Sequence, residues 1–376
     1  MIPIIKPVFG AEEEAAVIEA LRSGWVTQGP RVAAFEVALA AAVGSAQCVA
    51  VTSATTALHL ALHLCGLGPG DDVLVPSLSF IATTNAIWMV GAHPVFVDVA
   101  QAEPNVTAEA FANAWTPQTR AVLAVHQLGV PADRAGLQAL CRARGVPLIE
   151  DAACAIGSLC GGQAIAAGAA LSVFSFHPRK VLTMGEGGAI ATDNPAYAER
   201  LRQLRHHGMS LSDHDRHGSA AREQYLEPGF NYRMTDLQAA VGLVQLQRLT
   251  AIVDERRALA QRYDQLLAGV QDVTLMPRNP DNHWNVQTYC VRIGKGATGR
   301  EAGVRRDRVL SELNRQGIGA RRGVMAAHQE HAWRHHDRAP LPHTEAWAAE
   351  SLALPVCHGM TEAEQGLVVS TLLAAL

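Results

Sequence analysis

The 376-residue sequence is poor in aromatic rings and in charge, and it has no long apolar run. Phe, Trp and Tyr make up 5% of it, too few for a surface that stacks nucleic-acid bases. Lys and Arg number 31 against 35 Asp and Glu, a net charge of −4, so no basic excess would draw nucleic acid. No stretch approaches the roughly 18 consecutive apolar residues of a membrane span, and no membrane partner is expected. The N-terminus, Met1 to Pro7, carries two prolines and lacks the apolar core of a secretory signal, so a cytoplasmic location is expected. Seven cysteines (Cys48, Cys65, Cys141, Cys154, Cys160, Cys290, Cys357) form an odd set with no CxxC pair. That excludes a disulfide framework or thiolate zinc site as the first reading and fits free thiols in a reducing compartment. His328, His331, His335, His336 and His343 crowd together, but no acidic or thiolate ligand accompanies them at regular spacing. A solvated or substrate-lining loop is expected there, and no metal.

Hydrophobic residues at 49% and charged residues at 18% fit a globular chain with a large core. The length fits two or three domains. Helices are expected over 11–22 and 31–43. A strand, Gln47 to Val51, then runs into Thr52-Ser53-Ala54-Thr55-Thr56 and a further helix. Strand, hydroxyl-rich turn and helix can hold a phosphate on free N–H groups and hydroxyls; the same pattern also serves as an ordinary helix cap. Further strands read at Asp72 to Pro76, His93 to Val99, Ala121 to Val125, Val146 to Asp151 and Ala169 to Phe174, with helices between them. That alternation indicates an α/β fold with a doubly wound, mainly parallel sheet. Sites in such sheets gather at the carboxyl ends of strands, where Thr52, Ser53, Phe80, His126, Asp151 and Lys180 all fall.

Residues 210–225 are polar and read as a mobile surface loop, and Thr235 as the cap of a long helix. From about 250 the pattern changes to an alternating strand, Val286 to Ile293, and a helix, Arg305 to Gln316. The expected division is a large domain, 1–249, and a smaller C-terminal α+β domain, 250–376, on which the N-terminal segment can also pack.

One stretch organises the rest: Ser175-Phe176-His177-Pro178-Arg179-Lys180, closing in Gly185-Glu186-Gly187-Gly188. Lys180 lies between a proline and a glycine-rich turn, which suits a reactive amine on a rigid loop. Upstream, the strand ending in Glu150-Asp151-Ala152-Ala153 delivers a carboxylate to the same sheet edge. A loop lysine that forms a Schiff base, with an aspartate facing a pyridinium nitrogen, is the pair a pyridoxal phosphate enzyme needs.

With these motifs and Gly229-Phe230-Asn231-Tyr232-Arg233-Met234, the chain resembles the DegT/DnrJ/EryC1/StrS group of pyridoxal phosphate-dependent sugar aminotransferases over nearly its whole length. The resemblance implies the type I fold of such transferases, a large domain with a seven-stranded-type, mainly parallel sheet flanked by helices, plus the small domain. It implies pyridoxal 5'-phosphate as cofactor, with pyridoxamine 5'-phosphate as its alternate form. Lys180 would carry the cofactor and Asp151 would meet its ring nitrogen. Phe80 would lie against the ring, while Ser53, Ala54, Thr55 and Ser175 would hold the phosphate. Cys154 would face the phenolic oxygen, where the family usually has Gln or His; a thiol is a weaker donor. Ala54 replaces the usual glycine of the phosphate turn, so a helical φ is expected there. Asn231 would reach the phosphate of a partner subunit, making a homodimer with a shared site the working unit. Thr27, His177, Arg321 and Arg322 are the implied substrate contacts. The implied reaction moves an amino group from L-glutamate to a keto-sugar nucleotide, as a 4-keto-6-deoxy sugar. A cyclitol aminotransferase, a sugar dehydratase and a catalytically silent sensor or scaffold are the alternatives.

Overall fold

The computed structural model describes residues 1–210, 223–294, 299–336 and 338–376. Most of the polar loop expected at 210–225 lies outside the described residues. The helices are α1 (Ala11–Arg22), α2 (Pro30–Val43), α3 (Ala54–Leu64), α4 (Ile81–Met89), α5 (Ala108–Asn113), α6 (Arg134–Arg144), α7 (Pro195–Leu204), α8 (Asp236–Leu267), α9 (Gly299–Arg315), α10 (Pro342–Glu350) and α11 (Glu362–Ala375). Local chemistry sets their ends. Pro30 opens α2 with its fixed φ, and Gly44 ends it at φ 74°, a left-handed position that suits glycine. Thr235 caps α8 through a reciprocal pair of bonds with Gln238.

The strands are β1 (Gln47–Val51), β2 (Asp72–Pro76), β3 (His93–Val97), β4 (Thr119–Val125), β5 (Leu148–Asp151), β6 (Leu159–Cys160), β7 (Gln163–Ala164), β8 (Leu171–Ser175), β9 (Gly188–Thr192), β10 (Val273–Leu275), β11 (Asn282–His283), β12 (Tyr289–Ile293), β13 (Arg321–Arg322) and β14 (Ser351–Leu354). Seven form the main sheet in the order β1-β9-β8-β5-β4-β2-β3. The β8-β5-β4-β2-β3 neighbours pair parallel, and β9 runs antiparallel to both β8 and β1. Both faces are covered. Val49, Val51, Val73, Val75 and Leu123 pack on one side among the apolar residues of α3 and α7. Cys48, Ala50, Phe174, Ala189 and Ala191 pack on the other with Phe35 and Leu39 of α2 and Leu249 of α8. Burial on both faces explains why these strands read as near-continuous apolar runs.

A second, antiparallel sheet has the order β10-β12-β14-β13. The N-terminus joins this unit: Ile2 bridges Ile318, and Gly319 N–H donates to Ile2 O at 2.7 Å. The change of pattern near 250 falls inside one unbroken helix, because α8 continues from Asp236 to Leu267. Its Arg256 is buried and donates to the carbonyls of Val286, Gln287 and Val356 at 2.8 to 2.9 Å. Burial pulls that guanidinium down to about 10.

Candidate active site

The parallel strand β5 ends in Glu150 and Asp151, whose side chains point to opposite faces. Glu150 turns inward to Arg134, at 2.7 Å, and to His126, at 3.5 Å. His126 is fully buried on that inner side, and its Nδ1 accepts from Ala132 N–H. Asp151 turns the other way. Its Oδ2 accepts from the Thr83 hydroxyl at 2.8 Å and its Oδ1 from Ala153 N–H at 3.1 Å. Thr83 in turn meets Ser79 at 2.8 Å. The carboxylate is thus held in one orientation by α4, a support that spacing in the sequence does not reveal.

The loop after β8 brings Lys180 to the turn after β5. Lys180 Nζ donates to Cys154 Sγ at 3.0 Å. Lys180 N–H donates to His177 O at 2.8 Å. Two buried amides brace both turns. Asn285 Nδ2 donates to Cys154 O at 2.9 Å and Ile156 O at 2.7 Å. Gln287 Nε2 donates to Arg179 O at 2.5 Å, and its Oε1 accepts from Val181 N–H at 2.9 Å. Neither amide carries a sequence signal, since both sit before β12, more than 100 positions from the loops they hold.

Ser53 caps α3, its hydroxyl accepting from Thr56 N–H at 3.2 Å. The first main-chain bond of the helix runs from Ala57 N–H to Ser53 O. The N–H groups of Ala54 and Thr55 lie ahead of it, where a helix start favours an anion. Ala54 opens α3 without a positive φ, as expected. Gly188 pairs with Val51 on one side and Ser175 on the other, which sets Ser175 two strands from the end of β1. A Cβ on Gly188 would stand 2.3 Å from Ser53 C and 2.5 Å from Ala54 N. Only glycine permits this approach.

Phe80 precedes α4 and is 67% exposed, an apolar ring left open beside Thr83. Asn231 is exposed on a loop tied to the Ser53 turn by Thr52 N–H donating to Tyr232 O at 3.0 Å. Thr27 is exposed and accepts, through its carbonyl, from Asp236 N–H at 2.9 Å. His177 lies 3.9 Å from Glu186 on the outer side of the lysine loop.

The two arginines of β13 part company. Arg321 shares a narrow cleft with Arg179 and Gln287, and its Nε is buried with no hydrogen-bond partner among the described residues. Burial, and then the Arg179 charge, lower its affinity for its proton. Arg322 points across the sheet to Asp307 at 2.8 Å, because successive strand residues face opposite ways. Of the two arginines expected at the substrate, Arg321 therefore lines the cleft beside Arg179 and Arg322 is paired with Asp307. Within the histidine loop, expected to be solvated or substrate-lining, His331 and His335 are exposed. His328 alone is fully buried, 2.6 Å from the Ser77 hydroxyl and 3.2 Å from Glu345.

These groups fit pyridoxal phosphate. Ser53, Ser175 and two free N–H groups suit its phosphate, and Asp151 a protonated ring nitrogen. Phe80 offers a face for the ring and Lys180 a primary amine. The missing Cβ at Gly188 lets β9 approach the Ser53 turn.

A family model for the DegT/DnrJ/EryC1/StrS aminotransferase family matches residues 7–373. The chain is similar to the solved aminotransferase TlmJ from Streptoalloteichus hindustanus, at 35% identity and TM-score 0.91, covering 100% of this chain and 98% of that one. It is similar to DesI, solved in the presence of its TDP-sugar product, at 30% identity and TM-score 0.89, covering 100% and 92%. Spr1654 from Streptococcus pneumoniae, solved in PMP and PLP forms, shares 26% identity, with TM-score 0.92 for the PMP form and coverage of 100% and 99%.

Proposed function

The chain belongs to the DegT/DnrJ/EryC1/StrS aminotransferase family, and from that premise we propose that it transfers the amino group of L-glutamate to the keto carbon of a nucleotide-linked sugar. A 4-keto-6-deoxy sugar, giving an amino-deoxy product, is the acceptor we favour. The protein is a pyridoxal phosphate-dependent aminotransferase of fold type I. The observation that carries the reading is the contact of Lys180 Nζ with Cys154 Sγ, three residues past Asp151. It places an amine and a carboxylate at one strand end. The TDP-sugar product of DesI supports the nucleotide-linked acceptor.

When bound, pyridoxal phosphate supplies an electron-withdrawing ring and carries the amino group between the two half-reactions. Ser53, Ala54 N–H, Thr55 N–H and Ser175 would hold the phosphate. Asp151, fixed by Thr83, would keep a proton on the ring nitrogen. Phe80 would lie against the ring. Lys180 would hold the cofactor through its amine, and the same amine would serve as the base for the proton on the donor's α-carbon. Cys154 gives Lys180 Nζ a resting partner. Arg321, with a buried donor to satisfy, suits the carboxylate of glutamate or the diphosphate of the acceptor. Asn231 completes the phosphate site of a second copy, so a homodimer is the working unit.

The test is spectroscopic. L-glutamate added to the yellow holoenzyme should bleach the visible band, and a matching keto-sugar nucleotide should restore it. A band that no amino donor alters would contradict the reading.

A further inference from the structure

Three consecutive residues, Asn285-Val286-Gln287, hold both halves of the lysine site. The Asn285 amide fixes the turn that bears Cys154, and the Gln287 amide bonds on either side of Lys180. Asn285, Val286 and Gln287 are all buried. Asn285 Oδ1 also accepts from the main-chain N–H of Gln287 at 2.9 Å, so the Asn285 side chain holds the backbone from which Gln287 projects. Between them Val286 has φ 54°, a left-handed conformation that a β-branched residue rarely adopts. Strain of this kind persists only where surrounding contacts enforce it. Here Arg256 supplies them by gripping the carbonyls of Val286 and Gln287. The turn at Val286 lets two amides close together in the chain reach two different loops.

We propose that Gln287 is a positioning residue for the amino transfer: it sets where Lys180 Nζ stands relative to the reacting carbon, with Asn285 holding Cys154 in register from the same strained segment. The two Gln287 bonds grip the main chain immediately before and after Lys180, so their loss frees the backbone from which the amine projects. A small displacement of a reacting group costs rate far more than binding. The inference rests on Lys180 being the reacting amine.

The experiment compares wild type with Gln287→Met, which keeps the shape and loses both bonds, and Gln287→Glu, which keeps an acceptor for Val181 N–H. Each holoenzyme is assayed with L-glutamate and followed by amide hydrogen exchange. Gln287→Met should lower kcat about 30-fold with KM within about threefold, and speed exchange at Val181. Gln287→Glu should lose less kcat and keep Val181 protected. If Gln287→Met does not fold, Gln287→Glu decides alone: a lowered kcat at unchanged KM supports the proposal. A kcat within threefold of wild type in the folded variants, or a loss confined to KM, would overturn it. Lys180→Ala run alongside separates the two claims, since a turning-over Lys180→Ala enzyme would sink the reading of the lysine itself.

Discussion

The Thr83 hydroxyl donates to Asp151 Oδ2 at 2.8 Å, joining the first turn of α4 to the end of β5. A residue of the helix that follows Phe80 thereby orients the carboxylate assigned to the cofactor ring. A hydrogen bond to a charged group contributes about 1.5–3 kcal/mol. Thr83→Val should therefore lower kcat about 10-fold or more while the cofactor stays bound, and Thr83→Ser should stay near wild type. Steady-state kinetics with an absorbance measure of bound cofactor checks both.

Gly188 is where β9 passes against the Ser53 turn, the phosphate site of the proposed function. A methyl there would meet the backbone of Ser53 and Ala54 at 2.3 to 2.5 Å, contacts that backbone cannot relieve cheaply. Gly188→Ala should destabilise the fold by about 1–3 kcal/mol and weaken cofactor binding more than Lys180 chemistry. Thermal melts and a cofactor titration would show this; an unchanged cofactor affinity would argue against the placement of the turn.

The strand ends were legible in the sequence, because parallel strands buried on both faces stand out as apolar runs. The positions of Asp151 and the Ser53 turn follow from that pattern, and that of Lys180 from the loop after β8. Thr83, Asn285 and Gln287 were not legible: each acts on a residue 68 or more positions away, and only the folded topology brings them together. Arg321 and Arg322 looked alike until strand pairing set them on opposite faces. His328 looked solvated because its partner Ser77 lies 251 positions earlier.

That difference between the paired arginines is measurable. Arg321→Gln should raise KM for the anionic substrate it meets about 10- to 100-fold, in line with loss of a charge-assisted bond. Arg322→Gln breaks only an exposed pair with Asp307 and should leave kcat/KM near wild type.

Burial holds His328 below the ordinary histidine value of 6.5, despite the nearby Glu345 carboxylate. The folded state thus favours the neutral ring. As pH falls through about 6.5, the unfolded chain takes up a proton more readily than the folded one. Stability from this site should be intact above pH 7 and decline in acid. Tm measured from pH 7.5 to 5.5 should fall, and less steeply in His328→Gln; equal slopes would place the titrating group elsewhere.

In the proposed reaction Lys180 holds the cofactor. Lys6, Lys180 and Lys295 are the lysines of the sequence, so the assignment can be read from a single peptide map. Borohydride reduction of the holoenzyme, followed by digestion and mass spectrometry, should find the cofactor mass on the peptide containing Lys180, and Lys180→Ala should lose both that adduct and the visible band. Finding the adduct on Lys6 or Lys295, or full turnover without Lys180, would contradict the account.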